Sequence, residues 1–432
     1  LCALRLRISQ RVNLMALRSM KDKYEPIPAM PIPSIGLVVG ILVLGSSVSI
    51  MSTDMYTPSL PDLATWFDTT PTRVKLTISL NMLAFGLAQL VHGPLSDRYG
   101  RKPVLMVSLF AVAILCLLCA AAQTIDQLIV ARVLLGLAAA AEAVVGLAII
   151  KDLYTEKEQV KALALLGMVI AIAPAAAPIV GGFVHVAFGW QANFYIISAM
   201  ALVALLCVGR LLPESATPDP TALKIGKVMR GYAGLLRNFD FMVHTAILGV
   251  GLGLIFVFVT GAPFILIDKL GVAADVFGFY QASIVLAFFL GSVFAARVAD
   301  HWAAMTLLRI GVYLIVFGAA ALSSVIFLDR VTPLSLCGCY MIMTFGMGPL
   351  FAVAPSRALR SIDGQAGTAS AMLSGIEQIT AAMAAVMISV LHDGTAKPMA
   401  LVSIVLGVAL VFLFLQSRRE DEKRGALNQA PR

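Results

Sequence analysis

Twelve apolar runs, each about as long as a bilayer is thick, divide this chain of 432 residues. They fall near 35–57, 72–94, 103–122, 126–150, 160–185 and 190–212, then near 240–263, 274–296, 303–326, 334–355, 366–391 and 398–416. A helix needs about 20 mostly apolar residues to cross about 30 Å of hydrocarbon. Inside lipid the backbone has no water to bond, so a spanning run of this length must be a helix. The pattern predicts an all-α membrane protein of twelve transmembrane helices in two six-helix bundles. Composition agrees, with 59% hydrophobic and 13% charged residues, where a soluble domain carries about 25% charge. These figures exclude a soluble enzyme, a secreted disulfide scaffold and a disordered regulator.

The polar segments divide the chain into a cytoplasmic N-terminal segment 1–34, a first bundle 35–212, a central loop 213–239, a second bundle 240–416 and a tail 417–432. Residues 1–24 carry Arg5, Arg7, Arg11, Arg18, Lys21 and Lys23 with no apolar h-region, so no cleavable signal peptide is expected. The prolines of 26–33 predict an extended lead-in. Net charge is +8, yet the basic residues form no single patch of the kind nucleic acid requires, so no nucleic-acid partner is expected. Of the 32 Lys and Arg residues, only Arg73, Lys75, Lys269, Arg330 and Lys397 fall in external segments, and Arg132 lies within the fourth run. The rest crowd the other side, which places both termini in the cytoplasm. Cys116 and Cys119 show metal-like spacing but sit mid-run without His or acidic neighbours, and are read as small hydrophobes.

Charged groups inside apolar runs are costly and mark function by default. Asp54 falls near the outer end of the first run, and Arg132 about one and a half turns below the outer end of the fourth. Their matching depth suggests a pair that shares a proton-coupled site; the alternative is a carboxylate that wets a helix end and an arginine that snorkels outward. Glu142 lies about 15 Å deeper than Arg132 on the same helix, turned by about 80°, so both can face one cavity. Glu377 divides between cavity lining and a helix–helix hydrogen bond, and His185 reads as interfacial.

The segment after the second run reads Gly93-Pro94-Leu95-Ser96-Asp97-Arg98-Tyr99-Gly100-Arg101-Lys102. It resembles the G-x-L-x-D-R-x-G-R-K signature of the major facilitator superfamily. Asp54-Met55-Tyr56-Thr57-Pro58-Ser59-Leu60-Pro61 is similar to the D-x-Y-x-P-x-x-P segment of twelve-span drug–proton antiporters, and Arg132-x-x-x-Gly136 to their fourth-span arginine motif. Ala177-Pro178-Ile179-Val180-Gly181-Gly182 resembles their G-P-x-x-G-G motif, with Ala for the first Gly. With Phe258-Val259-Thr260-Gly261-Ala262-Pro263-Phe264, the resemblance narrows to the bicyclomycin/chloramphenicol-resistance (Bcr/CflA) group. The second half matches by hydropathy and the loop echo Arg297-Val298-Ala299-Asp300.

The resemblance implies the major facilitator fold and alternating access between two bundles, in the inner membrane of a bacterium. It makes Gly93, Asp97, Arg98, Gly100 and Arg101 a conformational latch, and Pro178, Gly181 and Gly182 a helix-kink motif. Arg132 is then expected to couple to protonation and Asp54 to titrate; Glu142 departs from the group's usual small or apolar residue and, from its own burial in the fourth run, is expected to join the proton coupling and to favour cationic or hydrogen-bonding cargo. Tyr56, Asn81, Phe256, Phe258 and Glu377 are expected to line the substrate cavity. No phosphate-binding loop, metal cluster or nucleophile elbow occurs in the sequence, so no cofactor or metal is expected and the proton gradient supplies the energy. The reading is a monomeric exporter of small amphipathic drugs or toxic compounds. A metabolite or nucleoside carrier of the same fold, importers included, is the alternative. A membrane sensor would need a signalling domain, and an intramembrane enzyme a catalytic constellation, that the sequence does not display.

Overall fold

The computed structural model describes residues 33–223, 225–360, 362 and 366–429. The predicted N-terminal segment therefore lies outside the described residues except for its last two positions, as do Lys224 and the end of the tail.

Twelve helices are long and apolar enough to cross a membrane. The first half holds α1 (Ile35–Asp54), a short 3-10 turn (Thr57–Ser59), α2 (Leu60–Trp66), α3 (Pro71–Tyr99), α4 (Arg101–Ala120), α5 (Ile125–Leu153), α6 (Glu156–Phe188) and α7 (Trp190–Leu211). After α8 (Ile225–Arg237) the second half holds α9 (Phe239–Pro263), which continues in π-helical turns to Lys269, then α10 (Ala274–Val298), α11 (Ala304–Phe327), α12 (Pro333–Arg360), α13 (Ala366–Val390) and α14 (Lys397–Gln429). No strand occurs among the described residues.

Local chemistry sets the helix ends. Thr124 accepts from the Gln127 amide at 3.3 Å, and Asn238 accepts from the Phe241 amide at 3.1 Å, each satisfying an orphan N–H of a first turn. The Thr155 amide donates to Glu158 at 3.1 Å, the reciprocal half of a capping box. Gly100 and Gly189, with φ of 98° and 82°, make the abrupt joints before α4 and α7.

Each half packs on itself: α3, α4, α5 and α7 join with α1 and α6 in one, α9 to α14 in the other. Two seams connect the halves, α3 against α13 and α6 against α10. Large apolar residues such as Phe110 and Leu118 on α4, Tyr313 and Phe317 on α11, and Phe412 on α14 stay exposed on the outside, as a helix wall facing acyl chains requires.

Small residues bring the backbones together where the halves and motifs meet. A Cβ on Gly181 would overlap the Met55 carbonyl, and one on Gly182 the Ala274 carbonyl across the α6–α10 seam. Within the first half, a Cβ on Gly136 would overlap the Asn81 carbonyl. Close backbone approach of this kind drives association in lipid, where no hydrophobic effect separates one apolar helix from another.

Two elements depart from the sequence expectation. The central connection, read as a polar loop, contains α8, because its residues space apolar and basic side chains at helical intervals. Leu235 of α8 is buried while Met229, Arg230, Leu236 and Arg237 are exposed. The last helix does not end at residue 416: α14 runs on through the predicted tail to Gln429. Ser417 meets His244 at 3.0 Å, and Arg357 pairs with Asp421 at 2.8 Å.

Gly181→Ala should lower folding stability by about 1–3 kcal/mol through overpacking against Met55, read as a lower midpoint in fluorescence-detected thermal unfolding. Gly40→Ala, where nothing lies within 4 Å of the new Cβ, should not lower that midpoint.

Candidate functional site

A cavity of about 1410 Å³ lies between the halves at the end of the molecule that carries the 93–102 turn. Its walls are α3, α5 and α13, with α8 and the preceding linker at its mouth. At the opposite end, direct polar contacts across the α3–α13 seam close the halves on each other. The Ser79 and Ser389 hydroxyls are 3.0 Å apart, and Lys75 Nζ lies 2.7 Å from His392 Nδ1. On the other seam the Thr57 hydroxyl reaches Gln281 Oε1 at 3.2 Å. The cavity therefore has one open end and one closed end.

Asp54 and Arg132 come together just inside the closed end. Asp54 is the last residue of α1 and is buried beneath the 3-10 turn and α2. Arg132, on α5, is fully buried. Its Nη1 donates to the Ser52 carbonyl and its Nε to the Thr77 carbonyl at 3.4 Å. The guanidinium sits over the Tyr56 ring, 4.4 Å from its centroid. Arg132 thus grips the chain on both sides of Asp54 without reaching solvent, which removes the snorkelling alternative. Among the described residues no ion pair joins the two side chains, and Arg132 Nη2 is buried without a hydrogen-bond partner.

The other predicted site residues separate. Glu142 is buried, but its carboxylate lies against Gly45 of α1 and Oε1 has no partner. Its neighbours Ala143 and Val144 line the cavity and Glu142 does not, so the expectation that it shares a cavity face with Arg132 is not met. The 80° rotation along α5 turns it into the α1 contact instead. Tyr56 is not cavity lining: it is fully buried, bonded to Thr77 at 2.8 Å and packed on Phe194. Asn81 braces α3 against α5, donating to the Arg132 carbonyl at 2.6 Å. Phe258 is buried inside the second half against Tyr340, at a centroid distance of 5.0 Å. Phe256 packs on the apolar cluster that joins the halves near the closed end. Glu377 is partly buried on α13 and outside the cavity wall. Tyr56, Phe256 and Phe258, expected at the cavity for their aromatic faces, are taken up by packing instead.

The latch residues lie at the open end, all on the first half. Arg101 pairs with Asp97, donates to Ser96 at 2.6 Å, and pairs with Asp152 of α5 at 3.0 Å. The positive φ of Gly100 leaves room for Glu214, whose carboxylate a Cβ there would crowd. Glu214 accepts from the Arg101 and Lys102 amides at 2.9 and 3.1 Å, capping the positive end of α4. The Asp219 amide bonds the Asp97 carbonyl at 2.9 Å. Arg98 is partly buried beside this network. Sequence reasoning missed Glu214, because its partners lie more than a hundred residues away. It also missed His392, where Lys75 was counted only as a loop charge. Pro178 sits inside α6, and a Cβ on the facing Gly278 would press on its carbonyl. His185 bonds Asp62 at 2.7 Å near the closed end. Cys116 and Cys119 are buried and unbridged.

A two-bundle helical wall around a cavity open at one end, with ionisable groups buried beside the closed end, defines a membrane transporter of small molecules. The profile of the Major Facilitator Superfamily matches residues 42–385, and the chain belongs to that family. It is 28% identical over 386 residues to the chloramphenicol resistance protein of Pseudomonas aeruginosa, covering 85% of this chain and 89% of that one. It is likewise 28% identical to a bicyclomycin resistance protein homolog of Haemophilus influenzae, covering 88% and 96%. These relatives agree with the Bcr/CflA resemblance. The xylose transporter XylE of E. coli, in a partially occluded inward-open conformation, superposes with a TM-score of 0.69 at 12% identity, covering 88% of this chain and 97% of that one; this likeness concerns the fold.

His392, in the loop after α13, generates a test of the closed end. Burial and the Lys75 ammonium hold its imidazole below the usual range, against a smaller opposing pull from Asp393. Neutral His392 accepts from Lys75; protonated, it loses that bond and gains a like charge. The contact is therefore fully present at and above the ordinary imidazole value of about 6.5, and is lost as pH falls through the lower value the folded chain imposes. Spin labels flanking the α3 and α13 ends should move apart on acidification, and His392→Gln should flatten the response.

Proposed function

We propose that this chain is a proton-coupled secondary active transporter that exports small amphipathic drugs or toxic compounds from a bacterial cytoplasm. The cavity is the site from which cargo is taken up, the 93–102 turn faces the cytoplasm, and a single chain is the working unit. Transport proceeds without a cofactor or a covalent step. The names of the relatives, resistance proteins for chloramphenicol and bicyclomycin, support this cargo class.

One observation carries the reading. The Thr57 hydroxyl lies 2.8 Å from the Asp54 carbonyl and 3.2 Å from Gln281 of the second half. The turn holding the buried carboxylate is thus part of the contact that closes the far end. A proton arriving at Asp54 changes the attraction between Asp54 and Arg132, whose Nη2 holds no other hydrogen bond. Any change in how Arg132 holds Ser52 and Tyr56 passes through one turn of chain to Thr57 and the seam. Closure and protonation are thereby linked, so a ligand or proton that prefers one state shifts the other. Inward opening exposes the cavity with Asp97, Arg101 and Asp152 held on the first half. In the alternate state the same turn serves as the latch against the second half.

Asp54→Asn, in inside-out vesicles with labelled chloramphenicol, should leave downhill flux but abolish its dependence on the pH gradient; gradient-driven accumulation equal to wild type would overturn the assignment. Arg132→Ala should lower coupled flux by at least about tenfold while the protein still inserts and purifies. Glu142, the buried acid of α5, stands away from the cavity wall. Glu142→Gln should therefore change the flux of neutral and cationic compounds by the same factor, measured in the same vesicles.

A further inference from the structure

The inner end of the cavity is chemically unlike its mouth. Its charged wall residues, Asp97, Arg101, Lys151, Asp152, Asp219 and Arg230, all belong to the mouth. Following each wall helix inward, the last lining residues are Gln89 on α3, Ala143 on α5 and Ser374 on α13. Gln89 lies eight residues, about 12 Å, above Asp97. One turn nearer the mouth the walls are Gly93, Leu147 and Ala371, an uncharged ring. Gln89 is 2% exposed, and its Oε1 is buried without a hydrogen-bond partner. A buried amide oxygen left unpaired forfeits the water it bonded in the unfolded chain, and such atoms in native structures call for an explanation. Gln89 is among the residues that line the cavity, and its oxygen, covered in this state, gains a partner when the side chain turns toward the lumen.

We infer that Gln89 is the specificity-determining residue of the transport cavity, accepting a hydrogen bond from a hydroxyl or amide N–H of a neutral amphipathic compound seated between α3, α5 and α13. This inference rests on the export reading and adds to it a chemical class of cargo. The inner end supplies an uncharged acceptor, a hydroxyl on Ser374 and small apolar walls, and no carboxylate to neutralise a cation. Glu142, which would favour cations, is turned toward Gly45. A site built around an unpaired polar atom rejects analogues that leave it unpaired, because the desolvation penalty then goes unrecovered.

The test uses the purified full chain in lipid nanodiscs with two probes: chloramphenicol, neutral and bearing hydroxyl and amide donors, and tetraphenylphosphonium, a cation with no donor. Wild type should bind chloramphenicol the more tightly. Gln89→Leu should weaken chloramphenicol roughly tenfold, the effect of one hydrogen bond, and leave tetraphenylphosphonium unchanged. Gln89→Met, of similar length without the acceptor, should show the same selective loss, and an unfolding midpoint equal to wild type shows that each variant folds. Equal loss of both probes in Gln89→Leu, or unchanged chloramphenicol binding, would overturn the inference while wild-type proton-driven flux keeps the export reading standing. Wild-type protein that binds only the cation also overturns it. Folded wild type that neither binds nor transports either probe removes the export reading and this inference with it.

Discussion

Arg132 is a full positive charge enclosed in protein at membrane depth, and the first half is arranged to make that tolerable. A buried cation needs donors satisfied and charge offset, or it destabilises its surroundings by several kcal/mol. Here two backbone carbonyls, from Ser52 and Thr77, and the face of Tyr56 do most of that work. The carbonyl of Ser52 lies in the last turn of α1, at the negative end of that helix dipole. The guanidinium therefore holds α1, α3 and α5 in register, and Asn81 adds a second strap by bonding the Arg132 carbonyl. Motion of the first half as a body is a consequence of this bracing.

The seams between halves obey a different rule. They are made of small residues and single hydroxyl or amide pairs, with backbones in contact at Gly182 and Gly278. Close packing supplies dispersion, and the Lys75 ammonium set against His392 is a charge held at the closed end of one seam. Polar pairs such as Ser79–Ser389 are individually weak and replaceable by water. A seam of this composition parts at low cost, whereas the Arg132 bracing does not.

Much of this was legible in the sequence, for physical reasons. Lipid leaves the chain no option but helices, so run length alone placed the spans, and the 93–102 signature pointed to the family. Charges in apolar runs singled out Asp54 and Arg132, and the packing around the guanidinium then decided between burial and snorkelling. Side-chain destination was not legible. Tyr56 and Phe258 belong to motifs yet fill the interiors of the two halves, and less than a quarter turn of α5 sent Glu142 to Gly45 rather than to the cavity. Gln89 drew no notice because an uncharged amide in an apolar run gives no compositional signal; only its orphaned oxygen beside a void distinguishes it. The linker helix hid in a segment whose proline and charge content reads as loop, since thirteen amphipathic residues are too short to span.

Glu214 seats the start of the linker on the first helical turn of α4, and the Asp219 amide fastens it again to the Asp97 carbonyl. Further along, Leu235 is packed into the core of the second half. The linker is therefore anchored to both halves, and the tether between them is far shorter than the 213–239 connection suggests. Whatever excursion the bundles make at this end must be absorbed between Asp219 and α8, unless the Tyr232 contact with Leu90 lets go and lends the helix to the stroke. A strap so short sets a mechanical stop: it limits how wide the mouth can gape, and hence the girth of cargo that can enter.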